Sequence, residues 1–148
     1  MKITPINNNS INKSPNFKAK LTVTPKAGQI IGRNIRDTFA KENINPALGF
    51  SVAQYIDQQL NVLAESIKEI QPRDYDVTLD ASQAYKRHEA LYGSADSFDN
   101  EMYNDLELYF NGSPKGAAFT LNIEYSSEQI QRLYHVIKER ILHPERYY

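Results

Sequence analysis

The feature that most constrains the fold of this chain is an alternation of apolar and polar residues on both sides of a turn, followed by an amphipathic helix. Apolar residues occupy every second position from 106 to 110 and again from 119 to 125, the period of a strand buried on one face. Asn111 to Gly116 lies between these runs and supplies turn residues. The pattern predicts two antiparallel strands, whose apolar face is expected to be covered by the helix that begins at Ser126 or Ser127.

The helix after these strands has clear limits and one apolar side. Ser126 and Gln129 have the spacing of a capping box, in which the two side chains satisfy backbone N–H groups at the helix start. Pro144 cannot continue a helix and predicts its end. The apolar positions between these signals are Ile130, Leu133, Tyr134, Ile137 and Ile141. This side of the helix is expected to face the sheet.

Two earlier segments also alternate like half-buried strands. Residues 17–24 place apolar residues at odd positions and lysine or threonine at even positions, which predicts a strand with a basic outer face. Residues 75–80 repeat the pattern with Asp76, Thr78 and Asp80 at the outer positions. The second strand is therefore expected to have an acidic outer face.

Three segments between the strands are candidate helices. Thr24 followed by Pro25 is a typical start, and the helix is predicted over residues 25–41. Residues 51–70 have apolar side chains every three or four positions after a capping box at Ser51 and Gln54. The composition of residues 82–92 favours a helix, with a strand that pairs back on residues 75–80 as the alternative.

These elements predict an α+β fold: an antiparallel sheet of about four strands with two to three helices packed on one face, a two-layer sandwich. Strands and helices do not alternate regularly, which argues against a doubly wound fold. Residues 1–16 are rich in asparagine and have no hydrophobic period, so they are predicted to be a flexible basic N-terminal arm. Residues 17–148 are predicted to form a single α+β domain.

Composition excludes several functional classes. The chain has 148 residues and no cysteine, which excludes a disulfide framework and thiolate chemistry. A continuous apolar run of about 20 residues, the length that spans a membrane, is also absent from the sequence. A soluble, cytoplasmic protein with no membrane partner is expected.

Charge is distributed unevenly along the chain. Residues 1–36 contain seven lysine or arginine residues and no acid, whereas residues 74–107 contain nine acids and two bases. The basic segment could contact nucleic acid phosphates or an acidic protein surface. Alternatively, it lies against the acidic segment of its own chain. The second explanation is favoured, since arginines are few and the bases are not clustered.

The motifs that would indicate catalysis are incomplete. His135, Glu139 and His143 are spaced by four residues and would share one side of a helix, but the spacing differs from that of a zinc-protease helix. Neighbouring His88 and Glu89 would point in different directions on a helix, so they are not a preformed pair. The glycines in residues 26–33 match neither a P-loop nor a dinucleotide fingerprint. Catalytic residues, a metal and a cofactor are therefore not predicted.

The sequence favours a non-catalytic protein–protein interaction or accessory module. Its partner would be an unidentified protein or a second copy of the chain, bound through an exposed sheet face or edge and the basic arm. The residues assigned to this surface are Lys18, Lys20, Tyr109, Thr120, Asn122 and Glu124. One alternative is a small hydrolase-like or metal-binding enzyme that uses His135 and Glu139. The other is weak binding of nucleic acid through the basic N-terminal segment.

Overall fold

The computed structural model describes residues 19–70, 75–114 and 117–146, and these residues form an α+β fold with three strands and four α-helices. The predicted arm, residues 1–16, and the predicted contact residue Lys18 lie outside these ranges. In chain order, the elements are β1 (Ala19–Val23), α1 (Pro25–Lys41), α2 (Gly49–Ile67), β2 (Tyr75–Ala81), α3 (Gln83–Tyr92), β3 (Leu106–Phe110) and α4 (Ser126–Leu142). Short 3-10 turns span Pro46–Leu48, Ile123–Tyr125 and Pro144–Arg146.

The sheet is mixed and has the strand order β1-β2-β3. β1 pairs with β2 in parallel, from Ala19 opposite Tyr75 to Val23 opposite Leu79. β2 pairs with β3 in the antiparallel direction. The predicted antiparallel sheet is therefore wrong for β1. Parallel pairing needs a crossover of about a dozen residues or more, and α1 followed by α2 provides it.

The second strand of the predicted hairpin does not form, so the described sheet has three strands rather than about four. One bridge joins Phe119 to Leu106, with N···O distances of 2.9 and 2.8 Å. Beyond this bridge, the side chain of Gln129 accepts a hydrogen bond from the Asn122 N–H and donates one to the Thr120 carbonyl. In the antiparallel register of this bridge, residues 120–125 run past Leu106, the first residue of β3, so no residue of β3 lies opposite them.

The turn of the predicted hairpin does form. Asn111 and Gly112 both have positive φ, 51° and 85°, as a tight two-residue turn requires. Phe110 and Ser113 exchange two backbone hydrogen bonds across it, at 2.7 and 3.1 Å. The turn therefore forms although, among the described residues, Leu106 and Phe119 form the single further bridge between the two predicted hairpin segments.

All four predicted helices form, and the predicted start signals are confirmed for α1 and α3. The Thr24 Oγ1 accepts a hydrogen bond from the Ala27 N–H at 3.1 Å, and Pro25 is the first helical residue. Ser82 caps α3 in the same way through the Tyr85 N–H, and Gly93 ends α3 with φ of 71°. Both helices thus begin at a side chain that satisfies a free N–H group.

The predicted capping boxes of α2 and α4 are wrong. α2 begins at Gly49, two positions before Ser51, because the 3-10 turn Pro46–Leu48 leads directly into it. No side chain caps the first turn of α2 or of α4. In α4, Gln129 binds the segment that precedes the helix instead of its own first turn.

The two faces of the sheet differ in composition. The apolar side chains lie on one face, which we call the covered face, and share one hydrophobic core with α1, α2 and α4. Alternation places the other side chains on the opposite face. The covered face contains Leu21, Tyr75, Val77, Leu79, Leu106, Leu108 and Phe110. The opposite face contains Lys20, Thr22, Asp76, Thr78, Asp80, Glu107 and Tyr109.

None of the helices in the described ranges has both the length and the apolar character needed to cross a membrane.

Candidate functional site

The β1 side of the opposite face is open. Lys20, Thr22 and Asp76 are exposed there. Val23, which ends the strand on the covered face, is 36% exposed. β1 also forms an edge of the sheet, since it pairs with β2 alone among the described residues. This part of the molecule presents both side chains and backbone groups for contact.

The backbone direction along β1 follows from one hydrogen bond. The Thr24 N–H donates to the Leu79 carbonyl at 3.0 Å, so the backbone groups of Thr24 point toward β2. In a parallel ladder, successive residues direct their backbone groups alternately to the two sides of the strand. The backbone N–H and C=O groups of Thr22 therefore point toward β2. Those of Leu21 and Val23 point away from the sheet. These outward groups are those that an added strand would bind.

The β3 side of the opposite face is closed by α3. Tyr109 is buried, and its hydroxyl donates to the Ala81 carbonyl at 2.7 Å. The Lys86 ammonium lies 4.5 Å from the centre of the Tyr109 ring. Glu107 is also buried and accepts a hydrogen bond from the Gln83 N–H at 3.1 Å. Tyr109 is therefore part of the packed structure here, although its sequence position suggested an exposed contact.

Asp80 and Lys86 form an ion pair at the closed side, with 2.9 Å between carboxylate and ammonium. Burial by itself would raise the pKa of Asp80, but hydrogen bonds from Lys86, Thr24 and the Ala81 N–H outweigh it and hold the pKa below its usual value. Partial burial would lower the pKa of Lys86, but the hydrogen bond and attraction to Asp80 raise it. Both groups are thus held in their charged forms.

The other predicted contact residues lie in a separate cleft. Thr120, Asn122 and Glu124 line a polar depression of about 450 Å³ whose opposite wall is the C-terminal half of α1. The α1 side chains in this wall include Thr38 and Lys41. The structure therefore does not bring these three residues together with Lys20 and Tyr109 on one sheet face.

A buried carboxylate lies beside this cleft. Asp105 is 3% exposed, and one of its oxygens accepts a hydrogen bond from the Asn34 side chain at 3.1 Å. Asn34, which lines the cleft, also accepts a hydrogen bond from Asn100. Burial raises the pKa of Asp105, and the bond from Asn34 offsets only part of this effect. Sequence reasoning missed this pair because asparagine and aspartate 71 positions apart have no common motif.

Bases of α1 contact the acidic segment of the chain. The Lys26 ammonium lies 2.6 Å from the Glu89 carboxylate, and Lys41 lies 3.5 Å from Glu101. Arg33 donates to the carbonyls of Ala95 and Phe98 at 2.9 and 3.1 Å. These three side chains are directed to the protein's own surface.

The histidines proposed for catalysis do not form a site with Glu139. Glu139 pairs with Arg146 at 2.9 Å, and His143 lies 3.7 Å from Glu145. His135 is exposed on α4. Within residues 19–70, 75–114 and 117–146, no group of three or more histidine, aspartate or glutamate side chains could hold a metal ion.

No protein-family model matches the chain, and no curated protein or solved structure matches it either. The function is therefore inferred from the geometry of the described residues.

Proposed function

We propose that the protein is a non-catalytic interaction module that binds an extended segment of a partner protein along the edge of β1. The observation that carries this proposal is the orientation of the Leu21 and Val23 backbone groups, which point away from β2 at an edge of the sheet. An added strand would use these groups for main-chain hydrogen bonds, while its side chains would meet those of β1.

The side chains around this edge favour a selective partner. Lys20 and Thr22 are exposed on the opposite face, and a lysine on an edge strand discourages indiscriminate pairing between sheets. Lys13 and Lys18 precede β1 in the sequence. A partner segment with acidic side chains would be attracted to Lys20, because complementary charge increases association rate and specificity.

A pair of proline variants tests the proposal. Peptides are first selected from a displayed library against the full chain, and the selected peptide is titrated by fluorescence anisotropy. Val23→Pro removes an outward N–H group, so we expect affinity to fall by about tenfold or more while the fold is kept. Thr22→Pro removes an N–H group that points toward β2, so this control should lower the melting temperature instead.

Hydrogen exchange gives a second test of the same edge. Binding of the selected peptide should slow exchange of the Leu21 and Val23 amides, since both would become hydrogen-bonded donors. Equal affinity of wild type and Val23→Pro, with unchanged exchange at these two amides, would contradict strand addition. Sedimentation of the free chain distinguishes self-pairing, because an edge-to-edge dimer would dissociate in Val23→Pro.

A further inference from the structure

A second surface, remote in sequence from β1, is formed by α3 and the loop that follows it. Leu91, Tyr92, Met102 and Tyr103 are each between 55% and 76% exposed. Single exposed apolar side chains are common and need no explanation. Tyr92 and Tyr103 are notable because their rings belong to a continuous series of ring contacts, and we call the four exposed residues the aromatic surface.

The rings at this surface form a continuous series of contacts in space. The centre of the His88 ring lies 4.6 Å from that of Tyr92 and 5.6 Å from that of Phe98. The centre of the Phe98 ring lies 6.3 Å from that of Tyr103. Phe98 is buried and packs on Tyr85 at 5.1 Å. The Tyr103 ring therefore contacts a ring of the core directly, and the Tyr92 ring is joined to it through His88.

The loop that presents these rings is anchored to α1 and α3. Arg33 donates hydrogen bonds to the Ala95 and Phe98 carbonyls. The His88 Nε2 lies 2.9 Å from the Ser97 hydroxyl. A partner would lose less free energy in ordering an anchored surface than in ordering a free loop.

The segment that carries most of these rings has an acidic composition. Residues 88–105 contain five acids and no lysine or arginine, although Arg87 lies just before them. Glu89 and Glu101 pair with lysines of α1, and Asp105 is buried. Asp96 and Asp99 are exposed and form no ion pair within the described part of the chain. These two carboxylates have no paired cation, although one oxygen of Asp99 accepts a hydrogen bond from the Glu101 N–H at 2.9 Å.

We infer that the aromatic surface binds a basic segment of a partner protein, one that carries arginine or lysine next to a bulky apolar side chain. A guanidinium or ammonium group would lie over an exposed tyrosine ring, where the ring quadrupole attracts it. Asp96 and Asp99 would pair with the same charge. The apolar neighbour would cover Leu91 and Met102. This inference is independent of the β1 edge, and the carboxylates would repel nucleic acid phosphates and anionic lipid.

Binding of a short fluorescein-labelled peptide of arginine, leucine and glycine tests this inference. The full chain is titrated with it and with two controls, one with glutamate in place of arginine and one with glycine in place of leucine. We expect the arginine–leucine peptide to bind most tightly. Raising the ionic strength from about 0.05 M to about 0.3 M should weaken its binding.

Matched variants locate the binding. Tyr92→Ala combined with Tyr103→Ala should weaken binding by about tenfold or more. Asp96→Asn combined with Asp99→Asn should weaken it less and reduce its salt dependence. Phe50→Ala and Asp57→Asn are the controls, since both residues are exposed on α2, and neither should change the affinity.

Two readouts would overturn the inference. Equal binding to wild type and to the double tyrosine variant would show that the peptide binds elsewhere. A dimer in sedimentation experiments that dissociates in the double tyrosine variant would show that a second copy covers the surface. Amide chemical shifts are expected to change upon peptide binding within residues 88–103, with melting temperatures unchanged in every variant.

Discussion

The two faces of the sheet are built from alternate residues of the same strands, yet they are stabilised differently. The covered face is apolar throughout and packs on three helices. The opposite face is polar throughout, but only its β1 side is open, whereas Glu107 and Tyr109 on its β3 side are buried. An alternating pattern therefore separates the two faces reliably. It does not show which part of the polar face remains accessible.

The largest expected difference between the faces is in how much the loss of a packed side chain lowers the free energy of unfolding. Leu79→Ala would remove a side chain that is 2% exposed on the covered face, and should lower the free energy of unfolding by about 2–5 kcal/mol. The neighbouring Thr78→Ala, on the opposite face, should change it by less than about 1 kcal/mol. Urea unfolding of both variants measures this difference. Similar losses in the two variants would show that the faces do not differ as described.

A smaller effect is expected from the charge at the closed side of the opposite face. Asp80→Asn should lower the free energy of unfolding at pH 7 by about 1–2 kcal/mol, because a charge-assisted hydrogen bond to Lys86 is lost. The pKa of Asp80 is lowered in the folded state, so its stabilising contribution is present above the unfolded pKa of about 4 and is lost as the pH falls through the lower folded pKa.

The pH dependence is measured by urea unfolding at pH 7 and at several values below pH 4. The difference between wild type and Asp80→Asn should shrink as the pH falls. Asp57→Asn, at an exposed position on α2, is the control and should show little difference at any pH. A difference for Asp80→Asn that is constant with pH would mean that the ion pair does not stabilise the fold.

The smallest effect is expected from a single hydroxyl on the same side. Tyr109→Phe removes the hydrogen bond to the Ala81 carbonyl and should lower the free energy of unfolding by about 1 kcal/mol. Tyr55→Phe removes an exposed hydrogen bond to Ser127, which water can replace, so its effect should be smaller. Equal effects in thermal or urea unfolding would contradict the burial of the Tyr109 hydroxyl.

Local signals predicted much of the fold. The start of α1 follows from Thr24 and Pro25, and the limits of α3 follow from Ser82 and Gly93, since each signal acts within one turn of its own residue. The tight turn at Asn111 and Gly112 was also predictable. This turn needs positive φ at both residues, and asparagine and glycine adopt positive φ most readily. These features depend on residues that are adjacent in the sequence, so they can be read from the sequence alone.

The candidate site was less predictable. Lys20 lies on the open side of the opposite face, as its alternating position suggested. Thr120 and Asn122 lie instead in a cleft, because Gln129 binds their backbone and no second hairpin strand places them on the sheet. The aromatic surface had no periodic signal, since its residues come from a helix and from an irregular loop.

The sequence by itself determined most of the helical and extended segments and which side chains of each strand share a face, because those properties depend on a few adjacent residues. The tertiary structure decided the parallel direction of β1, the loss of a fourth strand and the burial of Tyr109 and Asp105. Each of these outcomes depends on a contact between residues that are not neighbours in the chain: Thr24 with Leu79, Phe119 with Leu106, Lys86 with Tyr109 and Asn34 with Asp105. The energies of such contacts come from burial and hydrogen bonding in three dimensions, which a local pattern does not contain.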